Sequence, residues 1–207
     1  MNRGPTRPVS FEHSAARLST RPPNPPWHLT HHEAKPVTPL VGPGDHQVGA
    51  NDAPITLLQY GDYECSHCGR AYPIVKEVQR RLGPKLRFVF RNFPLAEAHP
   101  HAQHAAEAAE AAGGQDRFWE MHDALFEHQR SLDDRHLVQY AEALGLDLQQ
   151  FQQDLTSHAY AGRVREDFRS GVKSGVNGTP TFFINGVRHD DSWDVETLTE
   201  ALLATQQ

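Results

Sequence analysis

The two cysteines of this chain, Cys65 and Cys68, lie three positions apart in the segment GDYECSHCGRAYP. An apolar run, PITLLQY, precedes them, and apolar residues at helical spacing follow. This pattern predicts a buried strand that leads directly into a helix carrying both thiols. Residues three apart share one helix face, so a disulfide between the two is feasible. The spacing therefore points to redox chemistry.

Their positions at the start of a helix give the two thiols different properties. Unpaired N–H groups and the positive end of the helix dipole stabilise a thiolate on Cys65 more than one on Cys68. We therefore predict that an exposed Cys65 is the nucleophile and that a more buried Cys68 resolves the mixed disulfide. A partly protonated His67 between them would lower the pKa of Cys65 further. The alternative is a histidine without a role at an exposed helix start.

Two other functions are open to the cysteine pair. A tetrahedral zinc site needs two more ligands, which the histidines of HPHAQH, His99, His101 and His104, could supply. Inert buried thiols are the second possibility, although they fit poorly with a junction between a strand and a helix. The adjacent histidines at 31–32 also invite a metal interpretation, with plain polar residues as the alternative.

Composition narrows the class of protein. The formal charge of −6 over 207 residues argues against a nucleic-acid partner. No run approaches the roughly 18 apolar residues of a membrane span, so no membrane insertion is predicted. No apolar segment follows the basic residues of the N-terminus, which predicts a cytoplasmic protein, or a periplasmic one if that terminus is incomplete. Two cysteines cannot form a disulfide framework.

The chain divides into a polar arm and a folded part. Nine of the 15 prolines lie in residues 1–50, and residues 1–45 are predicted to be a disordered or extended arm. Strand and helix patterns then predict the order strand, helix, strand, followed by a block of helices, a β-hairpin and a final helix. The hairpin signal is an Asn-Gly pair at 185–186.

Three motifs in this order resemble the DsbA-like thiol–disulfide oxidoreductases of the thioredoxin superfamily. They are YGDYECSHC, then FPL followed by HAAEAA and FWEMHDALFEHQ, and finally VNGTPTFFINGV. The likeness covers about residues 46–207 and implies an α/β, thioredoxin-like fold with an inserted all-helical subdomain. Residues 46–98 and 175–207 would form the two halves of the thioredoxin-like domain, and residues 99–174 the insertion. The chain also resembles the DsbA-like domains that some bacterial sodium–proton antiporters carry at one end.

The resemblance also assigns residues outside the cysteine motif. Pro180 would be the cis-proline of the family, with Thr179 before it. Its role would be to place the Thr179 backbone against Cys65, where an extended substrate can pair with it. The Thr179 side chain would either tune the thiolate or serve as a turn residue. The redox-active disulfide Cys65–Cys68 is the implied redox group, and no other cofactor is expected.

The sequence departs from the family at two places. Many members carry a buried acid six residues before the first cysteine, and this chain has Gln59 there, which cannot move a proton. The nearby acids Asp62 and Glu64 are expected to be solvated rather than catalytic. The central Ser-His dipeptide also differs from the commonest Pro-His, so the oxidising strength does not carry over from the family.

The sequence thus predicts a thiol–disulfide oxidoreductase that exchanges disulfides with protein or small-thiol substrates and with an unidentified redox partner. In a reducing cytosol such an enzyme would serve as a reductase or stress-responsive exchanger. The alternative is a non-catalytic binding or regulatory module with redox-sensing thiols, which the Pro-rich arm favours. A glutathione- or isomerase-type enzyme is a third possibility, and Cys68 argues against it. Oligomeric state remains open.

Overall fold

A five-stranded mixed sheet forms the centre of the protein. A computed structural model describes residues 1, 4 and 36–206, and residues 36–206 belong to one unit that spans 33–207. The strands lie in the order β1-β3-β2-β4-β5. Their bounds are β1 His46–Val48, β2 Ile55–Gly61, β3 Leu86–Asn92, β4 Thr181–Ile184 and β5 Val187–His189.

The central strand β2 positions the cysteine motif. It pairs in parallel with β3 and antiparallel with β4, and all seven of its residues are buried. A strand covered on both faces requires apolar residues on both, which explains the continuous run ITLLQY in place of an alternating pattern. Leu57 packs into a core on one face of the sheet and Leu58 into a second core on the other.

In residues 36–206, seven α-helices surround the sheet, and five of them follow one another between β3 and β4. The bounds are α1 Ser66–Leu82, α2 Ala102–Gly113, α3 Phe118–Glu127, α4 Asp134–Ala143, α5 Leu148–Thr156, α6 Ala161–Lys173 and α7 Val195–Ala204. The alanine-rich α2 is almost wholly buried and packs against α3, α5 and α6. Small side chains let these neighbours approach closely, so α2 is the centre of the inserted helices.

The segment before β1 packs against the sheet. Val37 is buried, and its N–H donates to the carbonyl of Gly186 at 2.9 Å. The Thr38 N–H donates to Ser174 Oγ at 2.8 Å. Residues 36–45, which the sequence analysis places in the arm, therefore contact the domain. The sequence analysis missed this contact because one apolar residue does not stand out in a Pro-rich segment. The rest of the predicted arm, with the histidines at 31–32, lies outside the described residues apart from Met1 and Gly4.

No helix between residues 36 and 206 combines the length and the apolar character that crossing a lipid bilayer requires.

Candidate active site

Both cysteines lie at the start of α1, immediately after β2. Cys65 is the N-cap residue, Cys68 lies in the first turn, and both are free thiols. Cys65 is 5% exposed and Cys68 0%. Cys65 is thus more covered than the exposed nucleophile that the sequence suggests, although the order of burial is as expected. Only Cys65 presents surface to a substrate.

The loop before β4 meets Cys65 from the far end of the chain. The Cys65 thiol donates to the carbonyl oxygen of Thr179, with 3.4 Å between Sγ and O. The Thr179–Pro180 peptide bond is cis. Thr179 Oγ1 is buried and has no hydrogen-bond partner of normal geometry within residues 36–206. Because a hydroxyl proton rotates freely, we expect this group to donate to Cys65 once the thiol ionises.

The surroundings of the two thiols shift their pKa values in opposite directions. The pKa of Cys65 is lowered to about 5, chiefly by a hydrogen bond from the Cys68 thiol. Burial opposes this shift, and the Thr179 side chain and the backbone N–H groups of Cys68 and His67 add to it. Burial raises the pKa of Cys68, and a hydrogen bond to Cys65 and its negative charge raise it further. Near neutral pH the site therefore holds one thiolate, on Cys65, and one thiol.

His67 acts on Cys65 through its backbone. Its side chain is exposed, and Arg70 Nη2 donates to its Nδ1 at 2.8 Å. Arginine can only donate hydrogen bonds, so His67 Nδ1 is the acceptor in this contact. The contribution of His67 to the lowered pKa of Cys65 comes from its backbone N–H. The role that the sequence analysis gave to the ring stays a prediction.

The family model described as Thioredoxin matches residues 42–204. The chain belongs to the thioredoxin family.

Solved structures share the fold of this chain. BdbD from Bacillus subtilis, in its oxidised form, superposes with a TM-score of 0.72 at 24% identity, covering 78% of this chain and 92% of BdbD. A thioredoxin-like oxidoreductase from Silicibacter pomeroyi gives 0.71 at 25% identity, covering 80% and 94%. The predicted fold, thioredoxin-like with a helical insertion, is confirmed.

Similar sequences among curated proteins belong to larger chains. Na(+)/H(+) antiporter NhaA 1 from Salinispora arenicola is 46% identical over 166 residues, which are 80% of this chain and 25% of the antiporter. NhaA from Herminiimonas arsenicoxydans is 41% identical over 172 residues, 83% of this chain and 27% of that protein. This thioredoxin-family chain therefore spans about a quarter of the length of these relatives.

Asp62 is the residue at this thioredoxin-family site that the sequence analysis misjudged. It was expected to be solvated, yet it is buried, and its Oδ1 accepts from the N–H of Glu64 at 2.8 Å and of Cys65 at 3.2 Å. The turn that follows β2 folds the side chain back over the start of α1. An aspartate three residues before the N-cap Cys65 is the local signal for this arrangement.

The histidines considered as zinc ligands point to separate carboxylates. His99 bonds to Asp62 at 2.8 Å and His101 to Glu64 at 2.9 Å, while His104 bonds to an aspartate at the start of α4. Within residues 36–206 no group of three or more histidine, cysteine, aspartate or glutamate side chains is arranged to hold a metal ion. Two of these pairs, through Asp62 and Glu64, join the loop after β3 to the start of α1.

Gln59 stands where many family members carry an acid. It is buried in β2, and its Nε2 has no partner in the part of the chain that the structure describes. A neutral amide accepts no proton near neutral pH, so Gln59 cannot serve as a base for Cys68. In contrast, the backbone N–H of Asp62 donates to Cys68 Sγ at 3.5 Å and favours negative charge on that sulfur.

Alkylation of Cys65 by iodoacetamide is expected to depend on pH with a midpoint near the pKa of about 5. The thiolate is the reacting form, so the rate should be constant above the midpoint and fall about tenfold per pH unit below it. The measurement is the initial rate of mass gain from pH 3.5 to 8 in a Cys68→Ala variant, which lacks the side-chain donor, and in the wild type. Because Cys68 is the main stabilising donor, its removal should move the midpoint upward. An unchanged midpoint in the variant would contradict this account of the thiolate.

Proposed function

We propose that this protein is a thiol–disulfide oxidoreductase that exchanges disulfides with protein or small-thiol substrates through Cys65 and Cys68. The observation that carries the proposal is the pair of free thiols within one helical turn, of which only Cys65 reaches the surface. The Thr179 carbonyl 3.4 Å from Cys65 Sγ supports it. An inert pair of core thiols would not need two such different environments.

The proposed exchange proceeds in two displacements. The Cys65 thiolate attacks one sulfur of a substrate disulfide, forms a mixed disulfide, and releases the other substrate sulfur as a thiolate that takes up a proton. Cys68 then loses its proton and attacks Cys65 Sγ, which breaks the mixed disulfide and releases the second substrate thiolate. The substrate gains two electrons, and the protein is left with a Cys65–Cys68 disulfide. The reverse sequence oxidises a substrate dithiol.

Thr179 and Pro180 would position the substrate. Both are only partly buried, and the Thr179 carbonyl already lies against the reacting sulfur. An extended substrate segment beside Thr179 could form backbone hydrogen bonds there, as peptides do at open strand edges. Such binding would recognise the backbone of the substrate rather than particular side chains. It would therefore allow exchange with many different partners.

The test is the redox equilibrium of the purified protein in glutathione buffers, followed by the number of free thiols after alkylation. We expect one intramolecular disulfide and a potential between about −120 and −200 mV, because a stabilised thiolate favours the reduced form and makes the disulfide a stronger oxidant. A potential near −270 mV would retain the exchange activity but assign it to a reductase. Absence of an intramolecular disulfide at every ratio of reduced to oxidised glutathione would overturn the proposal and favour a non-catalytic binding module.

A further inference from the structure

The Asp62 carboxylate is buried between the cysteine motif and the loop after β3. Its side chain is 0% exposed. Oδ1 accepts from two N–H groups at the start of α1, and Oδ2 accepts from the Leu95 N–H and from His99 Nδ1, each at 2.8 Å. A buried carboxylate is costly unless a positive charge compensates it. Among its side-chain partners in the described chain, His99 is the group that can carry that charge.

His99 faces a set of negative groups at the start of α1. Partial burial alone would lower the pKa of His99, but the hydrogen bond to Asp62 and the charges of Asp62, Cys65 and Glu64 raise it above its ordinary value. The charge of the Cys65 thiolate therefore favours the protonated ring. Coupling between two sites is reciprocal, so a protonated His99 must favour the thiolate by the same free energy.

We propose that His99, held as an imidazolium by Asp62, adds to the stabilisation of the Cys65 thiolate and thereby raises the redox potential of the Cys65–Cys68 pair. Asp62 is the positioning residue, because one carboxylate holds both the His99 ring and the backbone N–H of Cys65. This inference rests on the proposed function.

His101 provides a matched control. It lies in the same loop and also bonds to an acid of the cysteine motif, Glu64, at 2.9 Å. Its side chain is 47% exposed against 24% for His99, so solvent screens its charge more strongly. His99 is therefore expected to influence the thiolate more than His101 does.

The first experiment compares His99→Gln with His101→Gln in glutathione buffers. Loss of the imidazolium destabilises the reduced form, so the equilibrium of His99→Gln should shift toward the disulfide by about tenfold, which corresponds to about 30 mV more reducing. His101→Gln should stay within about twofold of the wild type. Circular dichroism reports whether each variant is folded.

The second experiment needs no variant. The His99 ring is titrated by nuclear magnetic resonance in the reduced and in the oxidised wild type. Forming the disulfide removes the thiolate, so the proton-binding constant of His99 should be about tenfold lower in the oxidised protein. Equal titration curves in both forms would overturn the inference, as would a His99→Gln variant with the wild-type equilibrium. In either case a wild type that still forms the disulfide leaves the proposed function intact.

Discussion

Replacing Cys65 by serine is expected to reduce disulfide exchange to the uncatalysed rate. A serine oxygen cannot form the mixed disulfide, and Cys68 cannot take over the attack because it is fully buried with a raised pKa. The measurement is the rate at which the reduced protein cleaves a fluorescent peptide disulfide. Ser66→Ala is the matched control, since this exposed neighbour lies within the same motif and both thiols remain.

Cys68→Ser should stop the same reaction halfway. Cys65 can still attack the substrate, but no second thiol is present to release it, so a covalent complex accumulates. Mass spectrometry without reductant should show one substrate per protein, and added thiol should remove it. Full turnover by Cys65→Ser, or failure of Cys68→Ser to retain substrate, would contradict the division of roles between the two thiols.

Asp45→Ala is expected to destabilise the fold by about 3 kcal/mol. Asp45 forms an ion pair with Arg91 in β3, with Nε and Oδ1 2.7 Å apart, and both side chains are buried. Removing one partner leaves the other charge uncompensated, which costs about 3–5 kcal/mol in buried pairs. Because the backbone of Asp45 lies near the surface, we expect a value at the lower end of this range. The free energy of unfolding in urea measures the effect.

An exposed acid serves as the control for this prediction. Glu77 on α1 pairs with Arg80 and Arg81 at the surface, and Glu77→Ala should leave the unfolding midpoint nearly unchanged. An equal loss of unfolding free energy in the two variants would show that burial does not make the Asp45–Arg91 pair more important for stability than a surface pair. The result also tests whether residues 36–45 belong to the folded unit, since Arg91 additionally donates to the carbonyls of Pro39 and Leu40.

The same ion pair should make stability depend on pH in the acid range. Burial alone would raise the pKa of Asp45, but hydrogen bonds from Arg91 and the Gly42 N–H outweigh it and place the pKa below its ordinary value. The pair therefore contributes its full stability above the pKa of the unfolded chain, and that contribution is lost as the pH falls through the lower folded value. An Asp45→Asn variant should lose less stability on acidification than the wild type.

Local patterns were enough to predict most of the architecture. A continuous apolar run predicts the buried strand β2, helical spacing predicts α1 with both cysteines at its start, and the Asn-Gly pair at 185–186 predicts the turn between β4 and β5. All three are set by neighbours a few residues apart, and side-chain period and turn chemistry record such interactions directly. The order of burial of Cys65 and Cys68 follows from the same local geometry.

The tertiary structure decided which charges surround the thiolate. Asp62 looks like a solvated turn residue, yet a loop more than 30 positions later supplies the Leu95 N–H and the His99 ring that make its burial possible. Likewise, Val37 and Asp45 belong to the predicted Pro-rich arm by sequence. In the fold, Val37 forms a backbone hydrogen bond with Gly186 and Asp45 an ion pair with Arg91. The sequence alone determined the thiols, their spacing and their position at a helix start. Burial and pairing of charges depend on contacts between distant segments, and no local pattern encodes them.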